Sequence, residues 1–337
     1  MREKREIDRQ REAAFSLEVG GDDDKSGIKE VISTSYRLYT LTEQAVYSVQ
    51  LADDIDPERT NPNIPNLSQK VISAGYGDEI VGKVLMTAMM LFHENNSQTS
   101  QLHDDLFEVT VELTKHNIEL RSMVASLAEE ISSEEEKFCS GKQKVKSFYI
   151  PSITDLETKL HGIVVKLDKT KDCIMKLYQI HFLPGCSERP QFDKYRQALK
   201  DIPEMKGDFL SAWDEKVKFL KFVREARNCS EHPRAGHQLL IKNFQIQPDG
   251  SVNPPLIEVE HKDTPFGLLT VIEFIEFLRN TVLSYSELSY VLIKSIKLLE
   301  SNPLNERVSE MPEEARRHPF VRFYRTLNFD GVERILG

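Results

Sequence analysis

Cysteine is scarce in this sequence. Cys139, Cys173, Cys186 and Cys229 are the only four in 337 residues, and no two of them form a CxxC pair. That spacing argues against a zinc ribbon and against a small disulfide-stapled domain. Long apolar runs are missing too: no stretch approaches the roughly 18 uninterrupted apolar residues of a membrane helix. The densely charged opening from Met1 to Phe15 lacks the apolar centre of a secretory leader. Basic residues are outnumbered, 44 Lys and Arg against 54 Asp and Glu, for a net charge of −10. The surface as a whole is therefore not built to coat a polyanion, and any such contact has to be local. Glycine and proline, 15 of each, are too few for a fibrous or low-complexity chain. No HExxH, GxSxG, GxGxxG or GxxxxGK[ST] pattern occurs, which removes the usual signatures of a zincin, a serine hydrolase, a dinucleotide site and a P-loop. The expectation is a cytoplasmic protein with no metal, no cofactor and no membrane partner.

Apolar residues make up 39% of the chain and charged residues 29%, a balance that supports one large domain or two ordinary ones. Residues 1–27 read as a charged flexible arm, with Gly20 to Gly27 a solvated break. Residues 28–102 read as an N-terminal helical region. Within it, Val31/Ile32, Leu38, Leu41, Ala45 and Val49 recur at three-and-four spacing, and residues 80–92 form an apolar helix. Residues 103–302 read as a helical core. Leu106, Val109, Leu113, Leu120 and Leu127 mark one long helix, ended by a charged turn at residues 132–137. Leu156 to Leu177 mark a second, Leu210 to Leu220 a third, and Leu268 to Leu299 a fourth. The period changes only at residues 238–260, where two alternating runs flank Pro248-Asp249-Gly250-Ser251, a β-hairpin signal. Residues 303–337 form a tail rich in arginine and aromatics that docks on its own domain or stacks bases. The predicted fold is all-α: a multi-helix up-and-down bundle with one inserted hairpin.

One cluster stands apart, Phe222-Val223-Arg224-Glu225-Ala226-Arg227-Asn228-Cys229-Ser230-Glu231-His232-Pro233. On a helical wheel, the apolar stripe of Leu210, Trp213, Val217 and Leu220 runs into Arg224, Arg227 and Asn228. A cation on an apolar arc costs desolvation unless an anion or hydrogen-bond partners meet it. It either satisfies the last carbonyls of the helix or forms a pre-positioned anion site. Pro233 ends the helix at His232, which puts an imidazole one turn from a guanidinium, an acid/base beside a charge stabiliser. Residues 216–242 hold seven Lys and Arg against two acids, a net +5 inside an acidic chain. Phe219, Phe222 and Ala226 give the same helix a second apolar side, to be covered by a second copy or from within the chain.

The order Arg227-Asn228-x-x-x-His232, late in a bundle helix with another long helix following, resembles the signature of HEPN domains. These are all-α modules of many prokaryotic toxin and defence ribonucleases. The resemblance implies a homodimer whose two motifs share one cleft, RNA as substrate, and an antitoxin or regulatory protein as a further partner. It implies metal-independent endonucleolytic cleavage by the ribose 2′-hydroxyl. His232 would act as acid/base, Arg227 would stabilise the phosphorane-like charge, and Asn228 would orient one of them. Lys221, Arg224, Arg234 and His237 are the expected substrate-binding residues. The alternative is a non-catalytic helical scaffold, an inactive HEPN-like or unrelated protein, in which these side chains bind a protein or nucleotide.

Overall fold

The computed structural model describes residues 5–13, 19–20, 24–92, 101–140, 149–186, 191–202, 205, 207–300, 305–329 and 332–336. The predicted all-α bundle does not hold. Helix makes up about 55% of the described residues and strand 18%, the strands lying in four small antiparallel sheets, so the fold is mixed α/β. The chain divides into two compact units, one from residues 1–118, 309–325 and 335–337, the other from 119–308 and 326–334.

The first unit holds helix α1 (Glu6–Ala13), strands β1 (Glu30–Ser33), β2 (Leu38–Leu41) and β3 (Val46–Gln50), a short α2 (Ala52–Ile55) and strand β4 (Leu67–Ile72). Next, α3 (Glu79–Val81) runs through a π-helical turn (Gly82–Met86) into α4 (Thr87–Phe92). Helix α5 (Gln101–Ser140) starts in this unit. The four strands pair in sequence order as an antiparallel meander, β1-β2-β3-β4. The helix expected over residues 28–51 is thus three strands. The same apolar residues that fit a three-and-four spacing also fit short strands broken by turns. Here the β-branched and aromatic residues of Val46-Tyr47-Ser48-Val49 suit a pleated surface better than a helix.

Within the expected arm, Asp24 is buried. Its carboxylate accepts from the Ser26 and Thr42 hydroxyls and from the Tyr47 hydroxyl. These bonds hold the acid below its ordinary pKa against the effect of burial. Arg11 of α1, whose side chain is 6% exposed, ion-pairs with Asp56 at 2.7 Å and Asp53 at 3.2 Å. Residues 1–4, 14–18 and 21–23 of that arm lie outside the described residues. Gly75 is packed so closely that a Cβ would meet Ala45 N, Thr42 O and Gln44 N at 2.4–2.5 Å. Strands β10 (Glu306–Glu310), β11 (Phe323–Phe329) and β12 (Val332–Ile335) form a sheet in that order. In the tail Val321 and Tyr324 are buried, and the Tyr324 hydroxyl accepts from the Arg317 and His318 amides, so these residues are packed rather than free to stack bases.

The second unit takes the remainder of α5 and adds α6 (Leu156–Phe182), α7 (Phe192–Lys200) and α8 (Gly207–Glu231). Strands β5 (His237–Lys242), β6 (Gln245–Ile246), β7 (Val252–Asn253), β8 (Leu256–His261) and β9 (Phe266–Thr270) follow, then α9 (Val271–Glu300). Helix α5 continues through residues 132–137, where a charged turn was expected. Glu and Lys are good helix formers, and their charge is carried on an exposed face. The hairpin pairs β5 with β8 from His237↔His261 to Lys242↔Leu256, and β6 with β7 at its tip. It gains a third strand, because residues 266–270, expected as helix, pair with β8 as β9. The core joins Leu160, Ile163 and Leu167 of α6, Trp213, Leu220 and Val223 of α8, and Phe274, Leu278 and Ile293 of α9, all at most 1% exposed. The second apolar side of α8 is covered from within the chain: Phe219 meets Tyr285 at 5.3 Å and Phe277 at 6.2 Å, and Phe222 meets Phe266 at 5.3 Å. Among the described residues no helix is long and apolar enough to cross a membrane.

Candidate functional site at the end of helix α8

Over its last two turns helix α8 keeps its core-facing positions apolar and carries polar residues on the opposite side. Val223, Ala226 and Cys229 still face the core, while Arg224 and His232 are exposed and Arg227, Asn228 and Glu231 are half-buried. The His232 amide donates to the Asn228 carbonyl at 2.9 Å, so the helical ladder reaches the residue before Pro233. A tight reversal follows, closed by two backbone bonds between Arg234 and His237 of 3.0 and 2.8 Å, with Gly236 at φ +68°. The positive φ is what glycine tolerates without strain.

Two carboxylates organise the cluster. Glu231 Oε2 lies 2.5 Å from Arg227 Nη2 and 4.0 Å from His232 Nε2. The guanidinium and the imidazole therefore converge on one oxygen, and the His232 side chain is 78% exposed. Glu225 accepts from Asn228 Nδ2 at 3.0 Å and from Arg224 Nε at 2.9 Å, and lies 3.8 Å from His261 Nε2. Burial favours the neutral acid at Glu225, but the hydrogen bonds from Asn228 and Arg224 and the nearby positive charge outweigh it and keep the carboxyl below its ordinary value. Asn228 thus orients Glu225 rather than Arg227 or His232. Ser230 Oγ and His161 Nδ1 of α6 lie 2.9 Å apart. Burial, reinforced by the Glu225 charge, pushes the Cys229 thiol up to about 11 and away from nucleophilic use.

The other expected binding residues are dispersed around this end. Lys221 Nζ and Arg224 Cζ sit 5.7 and 5.6 Å from the ring centre of Phe192, the first residue of α7. Arg234 is exposed, and the His237 ring lies 4.9 Å from that of His261, its partner across the hairpin, at a tilt of 56°. The net +5 of residues 216–242 is smaller as a field than as a count. Lys216 is buried, while Lys218 pairs with Glu215, Arg224 with Glu225 and Arg227 with Glu231. Sequence reasoning missed both carboxylates, His161, His261 and Phe192. The i,i+4 spacing of Arg227 and Glu231 and the i,i+3 spacing of Glu225 and Asn228 were usable signals, whereas His161, His261 and Phe192 meet the motif only through the tertiary fold. No protein family, no curated protein and no solved structure matches this chain.

Proposed function

We propose that the α8 end is the active site of an endoribonuclease that cleaves by 2′-hydroxyl attack without a metal ion. The observation that carries this reading is the convergence of Arg227 and His232 on a single carboxylate oxygen at an exposed helix end. A phosphate oxygen in the place of Glu231 Oε2 would meet a planar fork able to bind two oxygens. It would also lie within reach of the His232 imidazole, a group able to accept and return a proton. An i,i+4 ion pair on a helix is worth only about 0.3–0.5 kcal/mol, so an incoming phosphodiester displaces Glu231 at little cost.

In this scheme His232 takes the 2′-hydroxyl proton, the 2′-oxygen attacks the adjacent phosphorus, and Arg227 stabilises the charge that develops there. The P–O5′ bond breaks, a protonated imidazole returns a proton to the departing oxygen, and the products are a 2′,3′-cyclic phosphate and a 5′-hydroxyl. Because the nucleophile belongs to the substrate, positioning and electrostatics are sufficient. A second copy of the chain, presenting its own motif to the same cleft, would supply a second imidazole. A cytoplasmic setting and a regulatory antitoxin belong to this reading.

One observation favours the non-catalytic alternative: Arg224 and Arg227 are each closed by an acid of their own helix. The test is incubation of purified protein with RNA in EDTA, beside Arg227→Ala and His232→Ala variants with unchanged circular dichroism. Cyclic-phosphate ends formed by the parent and lost in both variants support the enzyme. Intact RNA, with no toxicity on expression, supports the scaffold.

A further inference from the structure

Lys221, Arg224, Arg227 and Glu231 follow one another on α8 at steps of three, three and four, and so share one face of the helix. From Lys221 to Glu231 this stripe is about 15 Å long at 1.5 Å per residue, the length of a short run of nucleotides. At its far end lies a cleft of about 480 Å³ between α7 and α8, lined by Phe192, Arg196, Trp213, Asp214, Lys218 and Lys221 among others. That volume falls in the range of small-ligand pockets.

Most of the charge in the cleft is already satisfied. Arg196 grips Asp214 through two bonds of 2.7 and 2.8 Å, and Lys218 pairs with Glu215. Lys221 makes no ion pair with a described residue; its ammonium rests over the half-buried Phe192 ring, as does the Arg224 guanidinium. An aromatic face overlain by two cations matches a nucleobase with its own phosphate, the base taking the ring as the phosphate draws the cations off it. An acidic peptide would use the cations and leave the ring without a role.

We infer that the Phe192 cleft is a subsite for single-stranded RNA, where a base flanking the scissile bond stacks on Phe192 while Lys221 and Arg224 hold the phosphates leading to Arg227. This inference rests on the reading of the α8 end as an RNA-cleaving site. Duplex RNA, whose bases are already stacked on each other, cannot use the ring.

Fluorescence polarisation of the full-length His232→Ala protein with a labelled single-stranded RNA, a duplex of the same sequence and a glutamate-rich peptide tests it. Single strands are expected to bind in preference to duplex. Phe192→Ala should weaken binding by about 5- to 150-fold, the range for losing one base–aromatic stack, and Phe192→Trp should retain it. Lys221→Gln, a surface change that leaves the fold intact, should lower the slope of log K against log salt by about 0.7, one phosphate contact on a single strand. Equal binding of duplex, indifference to Phe192→Ala and Lys221→Gln, or no RNA binding at all overturns the subsite. So does Phe192-dependent binding of the peptide in place of RNA. The two readings fail separately. Cleavage by the parent with Phe192 indifferent sinks the subsite alone, and Phe192-dependent binding without cleavage by the parent sinks the nuclease alone.

Discussion

Lys216 Nζ donates a hydrogen bond to the Tyr178 hydroxyl at 2.8 Å inside the second unit, and a further bond of 2.9 Å ties it to Ser289 Oγ. The residue is 3% exposed, and burial lowers its pKa to about 7. An unfolded lysine titrates near 10.5. Between about pH 7 and 10.5 the unfolded chain binds more protons than the folded one, so this group makes folding more favourable as pH rises. Cys229 acts oppositely above its ordinary value of 9, because its thiol is held protonated up to about 11 in the folded state. The melting temperature is therefore expected to climb from pH 7 to 9, and Lys216→Met should flatten that climb. Thermal melts at half-unit pH steps check this; an unchanged slope in the variant would remove the assignment.

Under the proposed mechanism Glu231 competes for the place of the substrate phosphate. Glu231→Gln should raise kcat/KM for RNA a few-fold, most clearly at low salt where the ion pair is strongest. Loss of a single i,i+4 pair on one helix should leave the melting temperature nearly unchanged. Reduced cleavage in this variant would instead give Glu231 a supporting role at His232.

Arg227 is asked for a planar, two-pronged contact with developing charge. Arg227→Lys keeps the charge and loses the fork, and should lower kcat by about 10²–10³, as for removal of one transition-state donor. Full activity with lysine would reduce Arg227 to a general electrostatic contributor.

Asp24 accepts from Ser26, Thr42 and Tyr47 in a buried position. Asp24→Ala strands those hydroxyls and should destabilise the first unit by about 1–3 kcal/mol. Because the Asp24 pKa lies below its ordinary value, its contribution is complete above the normal carboxylate range and fades as pH falls through the folded value. Urea unfolding at pH 7 and pH 3 should show the variant and the parent converging at the lower pH.

The long helices were legible because fifteen or more residues of consistent period leave little ambiguity. The spacing of Leu156, Leu160, Ile163 and Leu167 is that of α6, and that of Trp213, Val217 and Leu220 is that of α8. Residues 28–51 were misread because strands of four or five residues, each ended by a turn, put apolar side chains at intervals that a helix also satisfies. Residues 266–270 were absorbed into the following helix for a related reason: Leu268 and Leu269 fit the α9 period, and only pairing with Ile257 and Val259 of β8 makes the segment a strand. At the candidate site, Arg227 and His232 stood out by their order in the sequence. Nothing in that order shows that Phe192 comes to rest beside Lys221, since the 28 residues 193–220 of helix and loop separate them.

The 3.8 Å approach of His261 to Glu225 and the bond from the Cys229 thiol to the Glu260 carbonyl splice the last turns of α8 to strand β8. A helix end this exposed would ordinarily fray on its own, with its final amides exchanging against deuterium almost freely. Here the amide of His232 should instead slow to the opening rate of the hairpin, which makes the geometry of those turns a property of the sheet and not of the helix alone.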